Sequence, residues 1–368
     1  KIIPPVCYDR SMKTPTIPTG LLERGVHDVI PREQLLKHLT SGKKLRIKFG
    51  VDLTRPDLHL GHAVVLRKLR EFQDLGHTII FLIGDYTTKI GDPSGKSKTR
   101  PMLEDAEIAA NVKTYLDQVS LILDVKKAEI RYNSEWLAQL SFADLIKLAS
   151  NISVAQLIER DDFSKRLESG SEIALHEFMY PLMVAYDSVA LQADVEFGGT
   201  DQLFNLLAGR NLQKKLGQAP QSVVTTPLLV GLDGVQKMSK SLDNYVGLTD
   251  APADMFGKLM SIPDNLIGPY FELCTDVPLE EIKAVVKDIA MGANPRDTKA
   301  SLAREIVRIY HGEKAAEAAE QAFNDQFRDK KAPTDIPEFK TKKGAELVDV
   351  LVEAGLVTSK SEYRRLVM

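Results

Sequence analysis

From Gly20 onward the apolar positions of the chain switch between two periods. Leu45, Ile47 and Phe49 alternate with Arg46 and Lys48, the two-residue period of a strand. In the next segment, Ala63 to Leu75, Val65, Leu69 and Phe72 fall at i, i+4 and i+7, the stripe of an amphipathic helix. Ile79 to Ile83 is an unbroken apolar run of strand length, the mark of a buried parallel strand, and it ends in Gly84-Asp85. Strand, helix, strand predicts a parallel βαβ unit. A helix is predicted ahead of it over Pro31–Leu39, with the proline in the first turn.

Residues 104–190 are predicted to be mostly helical, with a short strand at Glu129–Tyr132, and to form an insertion between the two halves of the sheet. A strand at Ala193–Phe197 ends in Gly198-Gly199-Thr200-Asp201 and opens a helix over Gln202–Leu216. A strand around Val223-Val224 and a hairpin from Leu229 to Val235, turning at Asp233-Gly234, follow. Beyond Leu248 the pattern is helical through Phe323; a charged, proline-containing linker runs from Arg328 to Lys343, and two short helices are predicted within Gly344–Met368. Residues 1–20, rich in proline and threonine, read as an irregular arm, and with Lys1 in first place the native start is not shown.

At 368 residues the chain can hold two or three domains around a large core. With 43% hydrophobic and 27% charged residues it has the composition of a soluble globular protein. A net charge of −3 provides no global basic field, so an RNA-binding surface has to be a local patch. Two cysteines, Cys7 and Cys274, form no disulfide framework and suit a reducing compartment. No apolar run approaches the roughly 20 residues of a membrane span, and no secretory signal is visible; a cytoplasmic protein without a membrane partner is expected.

The stretch Phe49 to His62, FGVDLTRPDLHLGH, changes this picture most. A strand ends there in a glycine-containing loop that opens a helix, the junction where open α/β sheets hold ligands and where a helix N-terminus favours phosphate. His59 and His62 lie three residues apart at its mouth. They could be metal ligands, though no third ligand stands nearby, or ordinary half-buried histidines. Much later comes Lys237-Met238-Ser239-Lys240-Ser241, which alone would read as a solvated hairpin tip. Gly91-Asp92-Pro93-Ser94-Gly95-Lys96-Ser97 is one residue short of a phosphate-cradling P-loop and reads as a turn. On the predicted helix Ala174–Asp187, Tyr180, Val184 and Asp187 share one face. A carboxylate there is costly to bury unless it receives a hydrogen bond, and a phenol hydroxyl is a suitable donor; the alternative is a turn-capping Asp187 and a core Tyr180.

HLGH after a strand together with KMSKS in the second half of the chain resembles the class I aminoacyl-tRNA synthetases. HLGH, GDPSGK, YDS, FGGTDQ and KMSKS stand in the order and spacing of the tyrosyl-tRNA synthetase family, and LHEFMYPLMVAYDSVALQADVEFGGTDQLFNLLAGR resembles its bacterial members. The resemblance is dense over Leu21–Gly247, looser over the helical part and partial at the end, where LVEAGLVTSKSEYRRLV is similar to the opening of an S4-type RNA-binding domain. It implies an α/β fold: a Rossmann-like parallel-sheet catalytic domain at 21–247, with its insertion at about 104–190. An all-helical domain at 248–327 that recognises the tRNA anticodon stem, the linker at 328–343 and an incomplete S4-like segment at 344–368 would follow.

The resemblance also implies an activity, the ATP-dependent joining of L-tyrosine to its tRNA through tyrosyl-adenylate. ATP would be a substrate accompanied by Mg²⁺, with no structural metal, and the chain would form a homodimer through the insertion. Among residues, it implies that Asp187 accepts the phenol's hydrogen bond, that Asp92 and Tyr180 hold the α-amino group, and that Gln202 sits beside the carboxylate, with Val184 on the same pocket wall. Asp201 would bind the ribose, or cap its helix, or both. Gly50, Asp52, Gly61, Gly199, Met238 and Ser239 would line the adenylate and phosphates; Thr54, His59 and His62 would meet the phosphates; Lys237 and Lys240 would close over the pyrophosphate. Three positions depart from the family pattern: Leu53 replaces a common proline, Val184 a glutamine that often contacts the amino group, and Lys48 a tyrosine used by some members beside the phenol. A tryptophanyl enzyme and a non-catalytic RNA-binding paralogue are the alternatives.

Overall fold

The computed structural model describes residues 17–52, 57–92, 105–328, 339–341 and 344–367. Leu53, Thr54, Pro93–Ser97, Cys7 and most of the N-terminal arm and of the linker therefore lie outside the described residues. The chain divides into two units, 1–320 and 321–368.

The first unit begins with β1 (Asp28–Ile30), α1 (Arg32–Thr40), β2 (Arg46–Val51), α2 (Leu60–Asp74) and β3 (Thr78–Ile83). Pro31 stands at the N-cap of α1, with φ −81° and ψ 138°, one position before its expected first-turn place. Then come α3 (Asp105–Val119), β4 (Glu129–Tyr132), α4 (Ser134–Leu137), α5 (Phe142–Ala149), α6 (Val154–Ile158) and α7 (Asp161–Glu168). A short 3₁₀ turn, Leu175–Phe178, leads into α8 (Met179–Leu191), followed by β5 (Val195–Gly199), α9 (Leu203–Lys215) and β6 (Ser222–Thr226).

The six strands form one sheet in the order β1-β6-β5-β2-β3-β4, parallel except for β1 against β6. The strand of the predicted insertion is thus part of the sheet, β4 pairing in parallel with β3. From β2 the chain crosses to β3 and β4, then returns to lay β5 on the opposite side of β2. That reversal opens a crevice at the carboxyl ends of β2 and β5, the place where doubly wound sheets receive ligands. Both faces are covered. Phe72 of α2 packs edge-on against Phe197 of β5, with centroids 5.2 Å apart. On the other face Leu191 of α8 joins Ile80 and Leu82, and Leu182 and Ala185 of α8 cluster with Leu212 of α9. Central burial explains why Lys48, on an alternating strand, is 1% exposed.

After β6 the predicted hairpin contracts to a single bridge, Val230 with Lys237, framed by hydrogen bonds from Met238 N to Leu229 O and from Gly231 N to Gln236 O. Gly234, at the turn, has φ +75°, which glycine adopts without strain. The chain next pairs with the start of α2: His59 bridges Gly247, while Leu60 N donates to Val246 O and Leu248 N to Leu58 O. The rest is helical as expected: α10 (Pro252–Met260), α11 (Ile267–Cys274), α12 (Leu279–Ala290), α13 (Pro295–His311) and α14 (Glu313–Phe323). Tyr270 of α11 donates to Val230 O at 2.7 Å, bracing the base of the KMSKS loop. In the second unit, α15 (Leu347–Glu353) and α16 (Lys360–Val367) are the two short helices predicted there, tied by a Lys360–Asp349 ion pair.

Candidate active site

Two cavities meet in the crevice and share a wall of Phe49, Gly50, Val51, Asp52, Tyr180, Gly199 and Gln202. The inner one reaches Val184 and Asp187; the outer one opens past His59, Gly61, His62, Asp92, Asp201, Lys237, Met238 and Ser239. A Cβ on Gly50 would touch only Leu82, at 3.8 Å, so the side of the backbone facing the cavity is open for a ligand.

Helix α8 brings Tyr180, Val184 and Asp187 to the inner cavity on one face, as their spacing requires. Asp187 is 2% exposed and receives Trp136 Nε1 at 2.8 Å and Asn133 Nδ2 at 3.3 Å. Burial lifts its carboxyl to about 7, against the pull of Lys48 and of these two donors. Asn133 also donates to Thr87 Oγ1 at 3.0 Å, Thr87 donates to Asp52 Oδ1 at 2.8 Å, and the Tyr180 hydroxyl donates to Asp52 Oδ2 at 2.9 Å. A Cβ on Gly84 would collide with both Asp52 and Thr87, so this contact needs glycine there. Burial first, and the negative charge of Asp52 and Asp92 next, push the Tyr180 phenol well above its ordinary range. Tyr180 therefore remains a donor at any physiological pH.

Beneath this layer the Lys48 ammonium uses all three protons: Glu196 Oε1 at 2.7 Å, Val184 O at 3.0 Å and Ser188 Oγ at 3.0 Å. Glu196 Oε2 accepts from Ser188 Oγ at 2.9 Å and from Gln221. From the shared wall, Gln202 Nε2 donates to Asp92 Oδ2 at 2.9 Å.

In the outer cavity the two imidazoles lie against each other with centroids 4.0 Å apart and planes tilted by 51°. Gly61 N donates to His59 Nδ1 at 3.2 Å and His59 N to His62 Nδ1 at 3.3 Å. Each Nδ1 is thereby an acceptor, which leaves Nε2 as the protonated donor in the neutral ring. Burial first, then neighbouring positive charge, holds both rings below the ordinary range, His62 at about 4. They offer the cavity hydrogen-bond donors rather than charge. Charge comes from the KMSKS lysines. Lys237 pairs with Asp201 at 2.7 Å; Lys240 lies outside both cavities, paired with Asp57 and 5.6 Å from the Tyr245 ring centroid.

The structure thus gathers the sequence-predicted residues except Lys240, which faces Asp57, and Thr54, which lies outside the described residues. Sequence reasoning missed Asn133, Trp136, Glu196 and Asp57. Asn133 directly follows a strand at the crevice and Trp136 is the single tryptophan, weak signals each; Glu196 carried none, since a carboxylate inside an apolar strand is intelligible only beside Lys48. Among the described residues no three His, Cys, Asp or Glu side chains converge as a metal site.

Residues 40–328 match the sequence model of tRNA synthetases class I (W and Y). A tyrosine–tRNA ligase of Thermotoga maritima is 53% identical over 96% of this chain and 88% of its own length. A tyrosine–tRNA ligase 2 of Vibrio vulnificus is 53% identical over 94% and 88%. The crystal structure of a C-terminally truncated mitochondrial tyrosyl-tRNA synthetase of Coccidioides posadasii superposes with a TM-score of 0.64 at 26% identity, covering 82% of this chain and 90% of that one. With cavity, signatures and these relatives in agreement, the chain belongs to the tyrosyl-tRNA synthetases, of the class I family that also holds the tryptophan enzymes.

Proposed function

We propose that the two joined cavities form the site in which this tyrosine–tRNA ligase makes tyrosyl-adenylate, with tyrosine in the inner cavity and ATP in the outer. The observation that carries this reading is the shared wall: Asp187, at the closed end, is continuous through Asp52 and Gln202 with His59, His62 and Asp201. The tyrosine carboxylate attacks the α-phosphorus of ATP, releasing pyrophosphate; the terminal adenosine hydroxyl of the tRNA then takes the acyl group. No protein nucleophile is required, so positioning and charge placement supply the catalysis.

Asp187 accepts from the substrate phenol. Asp92 and Tyr180 hold the α-ammonium, and Gln202 lies by the carboxylate. Asp201 takes the ribose, Gly50 and Gly199 admit the adenylate, and His59, His62 and Thr54 reach the phosphates. Lys237 and Lys240 leave Asp201 and Asp57 to meet the pyrophosphate, and Mg²⁺ enters with ATP to spread the phosphate charge. Gln is absent at Val184, so the amino group relies on Asp92 and Tyr180. The helical segment 248–327 and the S4-like segment 344–368 serve tRNA recognition. Homodimerisation through the insertion is supported by exposed apolar side chains there, among them Phe142, Ile146, Val154, Leu167 and Leu175. No described helix is long and apolar enough to cross a membrane, and the cytoplasm is the proposed location.

ATP–pyrophosphate exchange tests the site. Lys240→Ala should slow tyrosine-dependent exchange by on the order of 10²- to 10³-fold, by analogy with the loss of one transition-state donor, while tyrosine binding by equilibrium dialysis stays near wild type. Exchange at the wild-type rate would remove Lys240 from the reaction.

A further inference from the structure

A row of hydrogen bonds, half-buried at the amino-acid pocket and buried at its far end, leads out of that pocket into the segment that joins β4 to α8. Arg160, at the N-cap of α7, is 5% exposed. Its guanidinium lies 5.0 Å from the Phe163 ring centroid and 5.4 Å from that of Phe204, and donates to both oxygens of Asp162 at 3.0 and 3.2 Å. It also donates from Nη1 to Asn205 Oδ1 at 3.0 Å. Asn205, 1% exposed, donates from Nδ2 to Gln202 Oε1 at 2.8 Å, and Gln202 Nε2 donates to Asp92 Oδ2 at 2.9 Å.

The two ends of this row make it directional. A guanidinium has donors only and does not lose its proton in a protein; an ionised carboxylate has acceptors only. Two carboxamides in between could each face either way, but with a pure donor at one end and a pure acceptor at the other only one arrangement satisfies all three hydrogen bonds. Turning Asn205 would bring its NH₂ against the guanidinium. Turning Gln202 would bring its oxygen against Asp92. The orientation of Gln202 is therefore imposed from Arg160.

We propose that Arg160 is a positioning residue for tyrosine binding, fixing through Asn205 the Gln202 amide that braces Asp92 beside the substrate's α-amino and carboxylate groups. The proposal rests on the assignment of Asp92 and Gln202 to those groups. Arg160 touches no substrate. It determines which end of an amide does, and losing that choice weakens the grip on the amino-acid head while leaving the phenol end untouched.

The test uses ATP–pyrophosphate exchange, with inhibition by tyramine, which lacks the carboxylate, and by 4-methylphenol, which lacks both head groups. Arg160→Met keeps the side chain between the two phenylalanines but removes every donor. Asn205→Asp keeps the partner of Arg160 but cannot donate to Gln202. Each should raise KM for L-tyrosine by about tenfold or more, the factor expected for one charge-assisted hydrogen bond, with KM for ATP and inhibition by 4-methylphenol changed less than about twofold, within the additivity of independent sites. Arg160→Lys, which retains a donor, should fall between wild type and Arg160→Met.

Gln202→Ala separates the two levels of the reading. If it leaves KM for tyrosine unchanged, the assignment of Gln202 fails. If it raises KM while Asn205→Asp behaves as wild type, the assignment stands and the relay is overturned. Equal weakening of tyrosine and 4-methylphenol in Arg160→Met and Asn205→Asp would also overturn it, by showing damage to the pocket as a whole. Should Arg160→Met fail to fold, Asn205→Asp alone decides.

Discussion

Replacing Lys48 with methionine tests the electrostatics under the pocket most sharply. Methionine matches the length and much of the volume of lysine, so the strand need not open, but it leaves Glu196 buried without its cation at 2% exposure. The carboxylate keeps its bonds from Ser188 and Gln221, yet removing one partner of a buried pair costs about 3–5 kcal/mol. A lone carboxyl can escape by taking up a proton, which sets a ceiling. From an ordinary value near 4.3, protonation at pH 7.5 spans about three units at about 1.4 kcal/mol each, about 4 kcal/mol in all; at pH 5.5 it costs about 1.5 kcal/mol. Urea denaturation followed by the fluorescence of Trp136, the chain's one tryptophan, should therefore show a deficit of about 4 kcal/mol at pH 7.5 that shrinks by more than half at pH 5.5. Adding Glu196→Gln should restore most of the loss at pH 7.5. A deficit independent of pH, or strictly additive effects of the two substitutions, would refute the account and point to packing instead. The variant also loses the cation that holds Asp187 down, so KM for tyrosine should rise at pH 7.

Three further outcomes follow from the site. Because burial places Asp187 near 7, its acceptor form is populated as pH rises, so KM for tyrosine should fall between pH 6 and 8, and Asp187→Asn should abolish that dependence while eroding discrimination against phenylalanine by about tenfold or more; a pH-dependent KM in the variant would sink the assignment. Since His59 and His62 are held below the ordinary imidazole range, the exchange rate at saturating substrates should show no step near pH 6.5, and a step that vanishes in His62→Asn would mean that a charged ring takes part. Phe142 and Ile146 are 78% and 57% exposed one turn apart on α5, so Phe142→Glu with Ile146→Glu should give a monomer in sedimentation equilibrium at micromolar concentration, where an unchanged dimer would place the interface elsewhere.

Much of this site was legible in the chain because its parts are local. A strand, a glycine and an N-cap histidine place His59 and His62 by themselves, and helical spacing alone puts Tyr180, Val184 and Asp187 on one wall. What was not legible is pairwise. Lys48 and Glu196 are 148 positions apart and each looks misplaced without the other; Trp136 and Asn133 reach Asp187 only because β4 joins the sheet beside β3. The hairpin before KMSKS shrank to one bridge because the exposed Asp233 carboxylate caps the turn, accepting from Val235 N, Gln236 N and Asn244, and that geometry has no periodic signature. The resting partner of Lys240, Asp57, belongs to the same class of long-range pair.

The backbone bridge between His59 and Gly247 has a consequence for how the chain could be rearranged. It sews the foot of one signature to the heel of the other across nearly the whole catalytic half, so neither can shift without tugging its counterpart. Splitting the gene anywhere between them would yield two fragments with one signature each, and restoring turnover by mixing them would require this short stitch to re-form first.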